Sequence, residues 1–123
     1  MSNAPVSFKV SDSISAYRIV RVSAANTVAA CSATTDIIAG VTTDNVASSS
    51  QAVPVQISGI GKVYCNETMA AGTLVMTNAS GYGIPFVEST AGVWVLGTLL
   101  DTVAHTGTIA NVLINPARVN DVP

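Results

Sequence analysis

The feature of this sequence that most constrains its fold is a series of short runs rich in Val, Ile and Thr. Gly, Asn, Asp and Ser separate these runs at spacings of about ten residues, as strands and turns require. No segment has the 3.6-residue apolar period of an amphipathic helix. The sequence therefore predicts an all-β fold, a compact small β-barrel or β-sandwich of about nine short strands. The predicted strands are 16–22, 27–30, 37–42, 52–57, 61–65, 73–77, 84–87, 93–96 and 108–114.

Two prolines fall inside these predicted strands. Pro54 lies within 52–57, and Pro85 lies within 84–87. Because proline has no backbone N–H to donate to a ladder, we expect both strands at a sheet edge or beside a bulge.

The length of 123 residues allows one domain with its own core and does not favour two. We expect a single domain over residues 1–123, with a β core at 14–115. Residues 1–13 and 116–123 contain prolines and show no sustained alternation. They are predicted to be an extended N-terminal arm and a C-terminal tail.

The composition is typical of a chain that works within an assembly. Hydrophobic residues make up 49% of the chain and charged residues 10%, with a formal net charge of −2. Such a surface provides little charge repulsion between copies, which favours a homo-oligomer. An extracellular β module rich in Ser and Thr would have a similar composition. The longest apolar run, 91–100, is about half of the roughly 20 residues that cross a bilayer, so we expect no membrane partner.

Residues that support catalysis or metal binding are sparse. His105 is the single histidine, Asp101 lies four residues before it, and no serine stands in a G-x-S-x-G motif. Cys31 and Cys65 have no metal-type spacing and could form at most one disulfide; we predict buried, reduced thiols. We expect no enzymatic activity, no cofactor, no metal and no small-molecule substrate.

The basic and aromatic residues are dispersed. Five Lys and Arg in an acidic chain form no cluster, and Arg18 and Arg21 fall on opposite faces of a strand, so we expect no nucleic-acid binding. The aromatic residues form no stacking stripe. Trp94, between Val93 and Val95, is predicted to lie in the core or at a subunit interface.

Within the N-terminal segment, three apolar residues nevertheless stand at alternate positions. Val6, Phe8 and Val10 fall on one side of an extended chain. Such a segment can add a strand to an exposed edge on a partner, or it can be the first strand of the domain's own sheet. The sequence leaves both interpretations open.

Four stretches, in their order along the chain, resemble the small capsid cement, or head decoration, proteins of tailed bacteriophages. They are 16–20 (AYRIV), 36–42 (DIIAGVT), 53–72, and 95–100 (VLGTLL) through Asn115 and Pro116. The resemblance covers residues 16 to 116 and rests on strand and turn patterns. Thr73 departs from it, because many relatives have Asp after the Ala-Ala-Gly turn.

The resemblance implies a structural protein with no catalytic residues. Its relatives are β-rich, associate commonly as trimers on the outside of an icosahedral head, and lock neighbouring shell subunits. It thus implies a homotrimer on the outer capsid surface of a virion, made in the host cytoplasm, with the major capsid protein as partner. We expect Val6, Phe8 and Val10 to contact the capsid and a patch around Val93, Trp94 and Val95 to form the subunit interface.

A second class stays open beside this one. A non-catalytic carbohydrate- or receptor-binding β module of a phage fibre or bacterial surface protein would also be all-β. It would need a convergent pocket of aromatic and carboxylate side chains, which the sequence does not assemble.

Overall fold

The computed structural model describes residues 6–11, 13–33, 36–45, 52–86 and 93–119. These residues form ten strands and no helix, which confirms the all-β prediction. The described part therefore offers no helix that could cross a membrane. The strands are β1 (Val6–Val10), β2 (Ile19–Ala24), β3 (Thr27–Ala30), β4 (Ile38–Thr42), β5 (Ala52–Gln56), β6 (Gly59–Cys65), β7 (Leu74–Thr77), β8 (Gly83–Pro85), β9 (Val93–Leu99) and β10 (Thr108–Val119).

The first five strands close into a barrel in the order β1-β3-β2-β4-β5. β1 runs parallel to β3 and antiparallel to β5, and the other neighbours are antiparallel. Closure leaves no open sheet edge in this ring. The core of this first barrel consists of small aliphatic residues: Val10, Ile14, Val20, Val28, Val53 and Val55.

The last five strands close into a second barrel in the order β10-β6-β8-β7-β9. Its longest pairing joins β10 to β6, from Thr108 opposite Cys65 to Ile114 opposite Gly59. The interior of this barrel is continuous with residues of the first barrel. Ile19, Ile38 and Val41 belong to the same buried cluster as Val63 and the other interior residues of the second barrel. The two barrels therefore share this core, which is separate from the core inside the first barrel.

A strained turn lies where the barrels meet. Tyr17 has a φ of +65°, a left-handed conformation that costs a non-glycine residue about 1–3 kcal/mol. The Tyr17 N–H donates to the Thr42 carbonyl at 2.8 Å, and the Tyr17 carbonyl accepts from the Tyr64 N–H at 2.9 Å. One bond holds the turn to the first barrel and the other holds it to the second.

The structure corrects the predicted arm and tail, and of the two interpretations left open for the N-terminal segment it shows the first strand of the domain's own sheet. Residues 6–10 form β1, which lies between β3 and β5, because their alternating apolar side chains complete the first barrel. Residues 116–119 continue β10, which pairs with β9 beyond a register shift. The segments 1–5 and 120–123 lie outside the described residues. The nine predicted strands did not include β1, and with it the described residues have ten.

The expectation for Pro54 is also corrected. Pro54 lies in β5, which has β1 on one side and β4 on the other, so this strand is not an edge. The registered pairs with β4 involve Val55 and Gln56, just beyond the proline. Pro85 is the last residue of β8 and lies opposite Val75 of β7. The single registered pair between β8 and β6, Gly83 with Cys65, lies two residues before it.

Candidate interaction surface

The side chains of β10 alternate between the interior of the second barrel and its outside. Ala110, Val112 and Ile114 are buried, whereas Ile109 and Leu113 are exposed. Both sets are aliphatic, although only one of them faces the core. The outer side of this sheet therefore presents large apolar side chains to solvent.

Cross-strand pairing places the exposed residues in a row. Leu113 lies opposite Ile60 of β6 and opposite Thr98 of β9, and Thr98 lies opposite Leu74 of β7. Directly opposed residues have Cβ atoms about 5 Å apart, so their side chains touch. Leu74, Leu113 and Ile60 are 41%, 45% and 57% exposed. An apolar row thus crosses four adjacent strands.

Two shorter rows extend this surface. Asn111 lies opposite Lys62, and its carbonyl accepts from the Leu100 N–H at 2.9 Å. Ile109 lies opposite Tyr64. Five of the nine exposed large hydrophobic residues in the described part of the chain lie on this one surface. We call it the outer face; its residues are Ile60, Lys62, Tyr64, Leu74, Thr98, Leu100, Ile109, Asn111 and Leu113.

The outer face has opposite charges on its two flanks. Lys62 is exposed on β6, on one side of β10. Asp101 follows the end of β9, on the other side, and its Oδ2 accepts from the Asn111 N–H at 2.9 Å and from Asn111 Nδ2 at 3.0 Å. These bonds hold the carboxylate beside Asn111 and give partners to the backbone N–H and the amide nitrogen of Asn111 at the centre of the face.

A groove of about 400 Å³ borders the apolar row. Its lining includes Leu113, the buried Ile114 and Gly59, at the end of the pairing between β10 and β6. The register of β10 against β9 shifts just beyond Ile114. The outer face therefore combines protruding aliphatic side chains with an adjoining concave site.

A cluster of one arginine and two tyrosines joins the barrels. The guanidinium carbon of Arg18 lies 4.6 Å from the ring centroids of both Tyr64 and Tyr82, and those centroids are 4.9 Å apart. Arg18 Nη1 also donates to the Ala16 carbonyl at 3.0 Å. Sequence reasoning treated these aromatic residues as dispersed and missed the cluster, since its members are distant in sequence and share no motif.

The predicted subunit interface is corrected in part. Val93 and Val95 are buried, so their side chains are not available to another subunit. Trp94 is half-buried and packs against the shared core. A role for Trp94 at an interface stays a prediction.

The predicted capsid contacts are corrected in the same way. Val10 is buried and Phe8 packs against the core of the first barrel, because β1 is a strand of that barrel. Val6 is exposed. The structure thus leaves Val6 available to a partner and places the other two side chains against their own core.

The candidate chemical groups do not converge. The Asp101 carboxylate is bonded to Asn111, and the described residues hold no group of three or more His, Cys, Asp and Glu that could bind a metal. Cys31 and Cys65 are free and buried, as predicted. Burial raises the pKa of Cys31 to about 12, with the charge of Asp36 as a lesser cause, and burial raises the pKa of Cys65 to about 11.

A second cleft, of about 280 Å³, lies at the junction of the barrels. Tyr17, Gln56, Lys62 and Thr42 contribute to its lining, which contains no carboxylate. The Thr42 hydroxyl already donates to the Ser15 carbonyl and accepts from the Arg18 N–H. The Thr42 hydroxyl therefore serves the junction itself, and the lining, which also includes Ile60, does not form the aromatic and carboxylate pocket of a sugar-binding module.

No family model and no curated protein matches this sequence. Among solved structures, the chain is similar to the head fiber gp8.5 N base of bacteriophage phi29. The TM-score is 0.71, the identity is 17%, and the match covers 94% of this chain and 97% of that chain. This likeness establishes a shared fold. It extends over both barrels, because nearly the full length of each chain takes part.

Proposed function

We propose that this chain is a structural protein of a phage virion, associated with the head. The observation that supports this proposal is the fold shared, over nearly the full length of both chains, with the base of a phage head fiber. The strand and turn patterns over residues 16–116 that resemble capsid cement proteins support it from the sequence. Similarity to two kinds of head-associated protein thus supports the same location, the head of a virion.

We further propose the narrower role of a cement, or decoration, protein. In this role the chain binds the outer surface of the head and clamps neighbouring major capsid subunits as a homotrimer. An aliphatic, weakly charged surface supports it, because little desolvation of charge opposes burial in such contacts. The cleft at the barrel junction gives the carbohydrate-binding alternative no comparable support.

Peptide mass spectrometry of purified virions tests the broader proposal. Virions of a phage that encodes this chain are banded by density, and their proteins are quantified against the major capsid protein. We expect the chain in many copies per head, in a fixed ratio to the major capsid protein. Its absence from banded virions, or a ratio that varies between preparations, would contradict the proposal.

A further inference from the structure

We propose that the outer face is the surface through which copies of this chain associate with one another. This inference deepens the proposed function, since it assigns a contact surface to the homo-oligomer. The partner that we propose for the outer face is a second copy of this chain.

The first support is the character of the outer face. Contiguous apolar patches are uncommon on monomers, and permanent homo-oligomer interfaces are more apolar than transient ones. Five aliphatic side chains share this surface with Asn111, whose backbone N–H and side-chain amide nitrogen both donate to Asp101. Covering the face therefore removes apolar area from water and leaves the central polar group with its bonds.

The second support is that β10, the central strand beneath the outer face, already has a hydrogen-bonded neighbour on each side. β6 lies between β10 and β8, and β10 lies between β6 and β9. The ladder of β10 therefore has partners on both sides, so a docking chain cannot pair with this central strand, whereas β6 pairs with β8 only at Cys65 and Gly83. Association over β10 must therefore occur by side-chain packing, for which the face offers the exposed Ile60 and the groove beside Leu113 and Gly59.

The charges on the two flanks favour a second copy as the occupant. Lys62 lies on the β6 side of β10 and Asp101 on the β9 side. When the outer faces of a homotrimer surround its threefold axis, Lys62 on one flank of each copy meets Asp101 on the opposite flank of the next copy. A cyclic arrangement brings one such pair to each interface. The outer face therefore carries both members of the proposed ion pair, so one copy of the surface is complementary in charge to another copy.

The experiment measures the mass of the full chain by analytical ultracentrifugation over a range of concentrations. We expect the unchanged chain to be an oligomer at micromolar concentration. Leu113→Asp places a charge within the apolar row and should raise the dissociation constant at least a hundredfold. Val22→Asp is the matched control, because Val22 is also an exposed strand aliphatic but lies on β2 of the first barrel. Circular dichroism should show that both variants fold.

Exchanging the charges of Lys62 and Asp101 tests whether a second copy of the chain is the partner of the outer face. Lys62→Glu and Asp101→Lys should each weaken association about tenfold, and the combined variant should recover most of the loss. Asp101→Asn keeps an oxygen for Asn111 and separates the loss of that bond from the loss of charge. A monomeric unchanged chain, a folded Leu113→Asp variant that still associates, or no recovery in the combined variant would overturn the inference.

Binding to heads separates this inference from the proposed function. If the unchanged chain is a monomer and Leu113→Asp abolishes its binding to heads, the outer face contacts the shell; the inference is then wrong and the proposed function stands. If the chain associates as expected and does not bind heads, the inference stands and the cement role fails.

Discussion

The guanidinium of Arg18 stacks on the ring of Tyr64, with 4.6 Å between the guanidinium carbon and the ring centroid, and this contact joins the two barrels. The same guanidinium faces Tyr82 at an equal distance. A half-buried cation over two rings stabilises the folded state by about 1–2 kcal/mol. The strained backbone of Tyr17 lies directly before it and is held from both barrels.

We expect Arg18→Ala to lower the free energy of unfolding by about 1–2 kcal/mol, measured by urea denaturation. Arg18→Lys should recover only part of this loss, because an ammonium does not stack as a planar group. Lys9→Ala, at an exposed cation of β1, is the control and should change stability by less than about 0.5 kcal/mol. Equal effects of Arg18→Ala and Lys9→Ala would contradict the stacking role.

A second prediction concerns β1. Val10→Ala removes two buried methyl groups and should lower the free energy of unfolding by about 2 kcal/mol. Val6→Ala, in the same strand but exposed, should cost well under about 1 kcal/mol. Thermal unfolding followed by circular dichroism compares the two variants. If residues 6–10 were an arm, Val10→Ala would leave the unfolding temperature unchanged.

The sequence predicted the strands better than their assembly. Runs such as 27–30 and 52–57 are β-branched and bounded by turn residues, so local propensity suffices to locate them. Closure depends on contacts between distant segments. Nothing near Val6 indicates that its strand pairs with β5, and Pro54 suggested an edge that the closed ring does not have.

The outer face could not be predicted for a related reason. In β10, Ile109, Val112, Leu113 and Ile114 are all aliphatic, so alternation does not reveal which side is buried. The alignment of Leu113 with Ile60 further depends on the register of two strands that lie far apart in sequence. Composition indicated an assembling protein, and only the fold located the surface.

A third prediction follows from the buried thiols. Folding raises the pKa of Cys31 to about 12 and that of Cys65 to about 11, above the ordinary value of 9.0. The stability that this contributes is complete below pH 9 and is lost as the pH rises through the folded pKa values, because the unfolded chain releases these protons first. We expect the free energy of unfolding to fall from pH 9 to about pH 12.

Replacing both cysteines by alanine should flatten this part of the pH profile, although it lowers stability at every pH. Thiol reagents provide an independent check, since thiolates are the reactive form. In the native protein both thiols should react slowly at pH 8, and denaturation should release two reactive thiols per chain. Rapid labelling of the native protein would contradict the burial of these groups.

A fourth prediction concerns His105, which is exposed and accepts a 2.7 Å bond from the Thr108 hydroxyl through its carbonyl. That bond does not involve the imidazole. His105→Ala should therefore leave both the unfolding temperature and binding to heads unchanged, as measured by calorimetry and co-sedimentation. Loss of binding by a folded variant would show that the imidazole has a role in function.

The most direct test of the cement role is co-sedimentation of the purified chain with phage heads that have been depleted of it. Binding to expanded heads should saturate at a fixed number of copies per major capsid subunit and should raise the temperature at which the heads disrupt. Unexpanded heads should bind far less, because neighbouring shell subunits have not reached their final positions. Saturable binding with this stabilisation is the predicted result; no saturable binding to expanded heads, or binding that leaves their disruption temperature unchanged, would contradict the account.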